Sequence, residues 1–426
     1  MQTLPEFYEF MHEVHMLRRA VTSYYLMQAH NPRHIRSLEK AVQAIDGLPT
    51  ADDPAAQGGA ATTGPAAARD RAAGSSTPSV MKRLRAGDRE VTVTLDYERG
   101  ELEKDIFFLG HADAEFEAFL ADRSESDFPG EVAGAAQFIR SFSPDLVISD
   151  RDGTVNNYCG RYRSSHQSIW NAVHLTKFAR AVPAHLVLLT SAPLREHGLL
   201  DLSAMPAATV HYAGSKGREY HDRDGNEAAM EIDPSQVQLL ERLNERLSRL
   251  LDRDEYAAFA VIGSGVQHKH GETTIARQDI HGSIPEQVSR GFLEEVRGLV
   301  TELDPGGEAL RVNDTGKDVE VTLTTAGGEE FTKGQGVGFL DETLELHIAE
   351  RKVMVCGDTW SDLPMVEEAT RRAGAASTAA IFVTRDADLE EAVRATGVDM
   401  HVVSEPDALV TALRAVARDA AGGEGG

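Results

Sequence analysis

The sequence predicts an α/β fold built on a parallel sheet, and three short segments support that prediction. Each is an apolar run that ends in polar residues: Leu146 to Asp152, His185 to Thr190, and Lys352 to Asp358. Strands buried on both faces of a parallel sheet read as continuous apolar runs, and ligands bind at their carboxyl ends. The polar residues at the ends of these strands therefore define the expected functional site.

The first strand ends in two carboxylates, Asp150 and Asp152, with Gly153 and Thr154 directly after them. A single residue separates the two acids, so both can face one crevice as the chain leaves the strand. Such a pair can hold a divalent cation or divide the roles of nucleophile and proton donor. The same residues also suit an ordinary turn, so the interpretation depends on the remainder of the chain.

Four ordered segments resemble the signatures of the haloacid dehalogenase (HAD) superfamily of phosphatases, over roughly residues 140 to 415. They are Asp-Arg-Asp-Gly-Thr at 150–154, the strand that ends at Thr190, a lysine best placed at Lys333, and Gly-Asp-x-x-x-Asp at 357–362. The resemblance implies a Rossmann-like HAD core with a parallel sheet, formed by residues 144–205 and 330–420.

The resemblance also implies catalytic roles. Asp150 would attack phosphorus and form an aspartyl-phosphate, and Asp152 would exchange protons with the leaving alcohol and then with water. Thr190 and Lys333 would hold the transferring phosphoryl oxygens and offset their charge. Lys216 is the rival for the lysine role, although its position favours the substrate side.

Mg²⁺ is the expected cofactor because it prefers oxygen ligands in octahedral geometry. Asp150, the backbone carbonyl of Asp152, and Asp358 can supply the ligands of the protein. Asp362 would bind a metal-bound water or orient Lys333. Each acid also has a structural interpretation, since Asp358 could cap the following helix and Asp362 could be a first-turn acid.

About 140 residues separate Thr190 from Lys333, far more than one helix and two loops require. We therefore expect residues 206–329 to fold as a separate α+β cap, which the superfamily calls a type 2 cap. The predicted strands are 209–212, 256–262, 310–312 and 319–323, and the predicted helices are 234–252 and 285–303.

The order of landmarks resembles the trehalose-6-phosphate phosphatase group, whereas the fourth signature is closer to sucrose- and mannosylglycerate-type phosphatases. The resemblance implies a sugar phosphate as substrate, with trehalose 6-phosphate first and sucrose 6-phosphate or mannosyl-3-phosphoglycerate as alternatives. Each candidate contact with the sugar could also be a solvated surface residue. These candidates are Ser191, Ser215, Lys216, Arg218 and Glu320.

Residues 1–143 precede the phosphatase-like region and divide into three parts. Residues 1–47 have helical spacing and could bind a protein partner or self-associate. Residues 48–79 are rich in Ala, Gly, Pro, Ser and Thr, which predicts a flexible linker. Residues 80–143 predict an α+β extension that packs on the core, with strands at 89–95 and 105–109 and helices at 112–122 and 130–141.

Composition narrows the class of protein and its partners. The formal charge of −25 disfavours nucleic acids and anionic membranes as partners. No apolar run approaches the roughly 18 residues of a membrane span, and the first residues lack a secretory pattern. Two cysteines fit a cytoplasmic location. The presence of Asp150, Asp152 and Asp358 favours an enzyme, and the alternative is a regulator that binds a phosphorylated ligand without turnover.

Overall fold

The computed structural model describes residues 1–29, 31–50, 80–182, 185–324 and 330–422, so most of the predicted linker, residues 51–79, lies outside the described residues. The α-helices in these ranges are α1 Leu4–Leu26, α2 Arg33–Asp46, α3 Asp96–Gly110, α4 Asp113–Arg123, α5 Phe128–Phe142, α6 Ile169–Ala181, α7 Leu199–Leu202, α8 Pro234–Leu251, α9 Glu286–Leu303, α10 Lys333–Thr343, α11 Leu363–Ala373, α12 Ala387–Ala395 and α13 Pro406–Gly422. The strands are β1 Met81–Ala86, β2 Arg89–Thr94, β3 Leu146–Ser149, β4 His185–Leu189, β5 His211–Gly214, β6 Glu219–His221, β7 Glu227–Ala229, β8 Val266–Lys269, β9 Glu272–Ala276, β10 Leu310–Asp314, β11 Asp318–Leu323, β12 Val353–Gly357, β13 Thr378–Val383 and β14 Asp399–Val403.

The predicted α/β class is confirmed by an eight-stranded sheet with the order β14-β13-β12-β3-β4-β5-β6-β7. The first six strands in this order are parallel, and β6 and β7 join them as antiparallel strands. One face of the sheet packs on α5, α6 and α13, and the other packs on α10 and α11. Burial on both faces explains why these strands read as unbroken apolar runs.

A four-stranded antiparallel sheet with the order β10-β11-β9-β8 packs with α8 and α9 and forms a second layer. In the chain, these elements lie between β7 and α10. The predicted cap, residues 206–329, differs at its start, because β5 to β7 extend the core sheet. The predicted strand 256–262 is instead a 3₁₀ turn at Ala257–Ala260. Tyr256, Phe259 and Ile262 are buried at intervals of three residues, which suits this tighter helix.

The N-terminal region packs on the core as a mixed helical layer with one hairpin, β1–β2. The predicted strand 105–109 is the carboxyl-terminal part of α3, and the strand that pairs with β2 is β1, which was not predicted from the sequence. The apolar face of α1 is covered by its own chain, including Phe7 and Met11 in the main core. A protein partner for residues 1–47 stays a prediction.

No helix in the described ranges combines the length and the apolar character that crossing a bilayer requires.

Candidate active site

The acids of two separate signatures meet where two neighbouring strands end. β3 and β12 are parallel partners, and Asp150 and Asp358 directly follow them. The backbone N–H of Asp150 donates to the carbonyl of Cys356 at 2.9 Å, which continues the pairing to the edge of the sheet. One carboxylate oxygen from each of Asp150, Asp358 and Asp362 lies within 4.8 Å of the others. Residues more than 200 positions apart therefore form one acidic cluster.

Lys333, the first residue of α10, bridges two of these acids. Its ammonium group donates to Oδ1 of Asp150 and to Oδ1 of Asp362, each at 2.6 Å. All three side chains are buried. Burial alone would lower the pKa of Lys333, but Asp150 and Asp362 raise it above its ordinary value, so the lysine is held as a cation.

The charges of the cluster do not balance within the protein. Burial raises the pKa of Asp150 to about 7, although Lys333 opposes this rise. Burial and the two neighbouring acids raise the pKa of Asp358 well above its ordinary value. One ammonium group faces three carboxylates, so a divalent cation would neutralise the remainder. Oxygen ligands of this kind suit Mg²⁺.

Hydrogen bonds fix the side chain of Asp362 more firmly than those of the other two acids. Burial would raise the pKa of Asp362, but Lys333 and the backbone N–H groups of Asp358 and Thr359 lower it overall. Its Oδ2 accepts from these amides at 2.9 and 3.0 Å. Asp362 therefore orients both Lys333 and the loop that carries Asp358.

Gly153 makes room for Asp358. Its φ is +89°, and a Cβ atom there would lie 2.1 Å from Oδ2 of Asp358. We expect Gly153→Ala to displace this carboxylate and to abolish the rise in melting temperature that Mg²⁺ produces, because ligand binding stabilises the folded state. Thermal unfolding with and without Mg²⁺ measures this effect.

Gly374→Ala is the matched control for that prediction. Gly374 has a φ of +82° and open space where a Cβ would lie, so its substitution introduces the same kind of backbone strain without contact with an acid. An equal Mg²⁺-dependent shift in both variants would contradict the assignment of Asp358 to the cation.

Asp152 lies next to the cluster but faces a different set of groups. Its Oδ1 accepts from Arg151 at 2.6 Å, from the hydroxyl of Ser165 at 2.7 Å and from the amide of Asn156 at 3.4 Å. The side chain of Asp152 is 20% exposed, whereas Arg151 is buried. Arg151 was not among the predicted site residues, although it lies inside the first signature.

Thr190 and Ser191 follow β4, the other neighbour of β3. Thr190 is buried, its N–H donates to the carbonyl of Ala213 at 3.0 Å, and its hydroxyl accepts from the N–H of Ala192 at 3.3 Å. Ser191 is half-buried beside it. Both residues therefore lie at the same edge of the sheet as Asp150.

The predicted sugar contacts Ser215, Lys216 and Arg218 lie where the core sheet meets the cap. The ammonium group of Lys216 pairs with Glu272 of the cap and with Glu330 at the start of the core, each at 2.9 Å. Lys216 therefore contacts acids at the junction of cap and core, whereas Lys333 contacts the acidic cluster. Arg218 donates to the carbonyl of His270 at 3.0 Å, and Ser215 accepts from the N–H of the same residue at 2.9 Å.

Glu320 lies on β11, where it accepts a hydrogen bond from Asn313 at 3.0 Å. Two cap residues that sequence reasoning missed are the buried Lys269 and Glu272, which pair at 2.6 Å. Burial would raise the pKa of Glu272, but Lys269 and Lys216 hold it well below its ordinary value. One lysine and one glutamate with two histidines, all within residues 268–272, were the available signal.

Comparison with known protein families identifies the region that carries this site. Residues 147–409 match the model of the trehalose-6-phosphate phosphatase C-terminal domain. The chain belongs to this family. The match contains the acidic cluster, Lys333 and the cap, and it begins after the N-terminal layer.

Characterised relatives show similarity at moderate identity. UDP-forming alpha,alpha-trehalose-phosphate synthase 1 of Caenorhabditis elegans is 30% identical over 347 residues, which cover 76% of this chain and 26% of that protein. A trehalose-phosphatase of the same organism is 32% identical over 288 residues, covering 65% of this chain and 61% of that protein. The chain thus spans about a quarter of the length of the first relative.

Among solved structures, the C-terminal domain of C. albicans trehalose-6-phosphate phosphatase aligns with a TM-score of 0.45 at 12% identity. The alignment covers 69% of this chain and 97% of that domain.

Proposed function

We propose that this protein is a Mg²⁺-dependent phosphomonoester hydrolase that acts on a sugar phosphate, with trehalose 6-phosphate as the preferred substrate. The observation that carries the proposal is the bridge from Lys333 to Asp150 and Asp362, with Asp358 in the same cluster. Membership of the family and the relatives described as trehalose-phosphatases support the choice of substrate.

In the first step, a carboxylate oxygen of Asp150 attacks phosphorus as the bond from phosphorus to the sugar oxygen breaks. The leaving oxygen takes a proton from Asp152 and departs as an alcohol. Lys333 fixes the orientation of Asp150 through Oδ1, and Thr190 donates to a phosphoryl oxygen. When bound, Mg²⁺ would offset the negative charge of the acids and of the ester.

In the second step, water attacks the aspartyl-phosphate and gives a proton to Asp152. The bond between phosphorus and Asp150 breaks, and inorganic phosphate leaves. Asp150 and Asp152 then return to their starting states, and the sum of the two steps is hydrolysis of the ester.

The cap supplies selectivity for the sugar in this proposal. Lys216 and Arg218 reach the junction between cap and core, and Glu320 lies on the cap sheet, while Ser191 and Ser215 lie near the core edge. A cap that closes over the substrate excludes water and adds contacts with the part that does not react. The charged groups of this junction suit the hydroxyl groups of a sugar.

A panel of sugar phosphates tests the substrate. We expect Mg²⁺-dependent phosphate release with the highest kcat/KM for trehalose 6-phosphate, followed by sucrose 6-phosphate and mannosyl-3-phosphoglycerate. A higher kcat/KM for another member of the panel would overturn the assignment of the substrate.

The change Glu320→Gln should raise KM for the preferred substrate and leave hydrolysis of p-nitrophenyl phosphate unaffected.

A further inference from the structure

Helix α3 presents a buried polar face to the loop that comes after the first signature. Its polar residues recur at helical spacing, as the apolar residues of a core-facing stripe would. They are Tyr97, Glu98, Glu101, Lys104 and Asp105, and all are buried. Buried charges are costly unless they are paired, so their number on one face indicates a defined set of partners.

Several of those partners lie in residues 156–169, whereas Lys104 pairs with Glu101 of the same helix and with Asp407 of α13. Glu98 accepts from two nitrogens of Arg161, the closest at 2.8 Å, and from the hydroxyl of Ser164 at 2.5 Å. The hydroxyl of Tyr97 accepts from the amide of Asn156 at 3.2 Å and donates to the carbonyl of His166 at 3.3 Å.

The same face of α3 also contacts both ends of this loop, at Asn157 and at Ile169. Glu101 accepts from the amide of Asn157 at 2.8 Å, and Asp105 accepts from the N–H of Ile169, in the first turn of α6, at 2.7 Å. Asp105 also pairs with the buried Arg18 of α1 at 2.6 Å. The N-terminal layer thus contacts the loop along its length.

One held residue and the neighbour of another contact Asp152. Asn156 contacts both Tyr97 and Oδ1 of Asp152, and Ser165, which follows the Ser164 held by Glu98, donates to the same oxygen. The donors therefore converge on Oδ1 of Asp152, which leaves Oδ2 as the oxygen that can carry a proton.

We propose that Tyr97 and Glu98 are positioning residues for catalysis: they hold the loop so that Asn156 and Ser165 direct Oδ2 of Asp152 at the leaving oxygen. This inference rests on the proposed function. It gives a role to a helix that lies outside the segment matched by the family. Misplacement of a catalytic group by about 1 Å can cost on the order of 100-fold in rate.

The dependence of the rate on the leaving group tests the proposal. Release of a sugar alcohol needs a proton, whereas p-nitrophenolate is stable enough to leave without one. We expect Tyr97→Phe and Glu98→Gln to lower kcat/KM for trehalose 6-phosphate by about 10- to 100-fold. For p-nitrophenyl phosphate, we expect a change of at most about threefold.

Glu103→Gln is the matched control, because Glu103 is on the same helix but pairs with Arg99 and Arg123 at the more exposed side. It should leave the ratio of the two kcat/KM values unchanged. Glu98→Gln removes the charge that pairs with Arg161 and can impair folding. If Glu98→Gln does not fold, Tyr97→Phe, which removes only one oxygen atom, decides the result.

The outcomes separate the inference from the proposed function. Equal losses on both substrates, or no loss in the folded Tyr97→Phe variant, would overturn the positioning role while the proposed function stands. Asp152→Asn should show the largest split between the two substrates. If the wild type releases phosphate from neither substrate, the proposed function fails and the inference fails with it.

Discussion

Asp150→Asn is expected to lower kcat for phosphate release by about 10⁴-fold or more, a loss typical for removal of a nucleophile. An amide oxygen is a poor nucleophile and cannot form the aspartyl-phosphate. The substitution keeps the shape of the side chain in a buried cluster, and Lys333 keeps its ion pair with Asp362. We therefore expect the folded structure to persist.

Steady-state kinetics with trehalose 6-phosphate and p-nitrophenyl phosphate measure this loss, with circular dichroism to verify folding. Asp145→Asn is the control, since Asp145 is exposed at the amino end of the same strand and accepts from the N–H of Lys352. It should retain the wild-type rate. Retention of more than about a tenth of the activity by Asp150→Asn would exclude Asp150 as the nucleophile.

Lys333→Met is expected to lower kcat by about 10²- to 10³-fold, because a preorganised charge at the transferring group is lost. It should also destabilise the metal-free protein by about 3 to 5 kcal/mol, the typical cost of leaving buried charges without their partner. Denaturant unfolding and kinetics with p-nitrophenyl phosphate measure the two effects.

Lys216→Met provides the comparison, because Lys216 also contacts two acids but does so at the junction between cap and core. It should raise KM for the sugar phosphate and leave turnover of p-nitrophenyl phosphate near the wild-type value. If Lys216→Met stops turnover of both substrates and Lys333→Met does not, the roles of the two lysines are reversed.

The sequence could predict the core of the site because each acid follows an apolar strand, and parallel strands end at a common edge. The strand pattern alone therefore predicts that Asp150 and Asp358 lie close together. It could not predict the bridge from Lys333, because nothing local fixes how α10 meets the sheet. Sequence spacing alone left Lys333 and Lys216 as rivals, and their different acid partners appear only in the folded chain.

The errors in the predictions from sequence have physical causes. The apolar run from Ile106 to Leu109 also suits a buried strand, and only its long-range packing shows that it ends a helix. β8 and β9 were not predicted, because their charged and hydroxyl side chains obscure the alternation of apolar and polar residues that is typical of a strand. The pairing of Glu98 with Arg161 joins residues 63 positions apart, and no local pattern indicates such a contact.

We propose that acids from two distant signatures form one cation-dependent phosphatase site. Phosphate release from p-nitrophenyl phosphate over a range of Mg²⁺ concentrations, by the wild type and by Asp358→Asn, tests it most directly. We predict release by the wild type that requires Mg²⁺ and stops on chelation, and a far higher Mg²⁺ requirement in the variant. Release that is indifferent to Mg²⁺ would contradict the role of the cation. No release by the wild type would contradict the whole proposal and favour a protein that only binds a phosphorylated ligand.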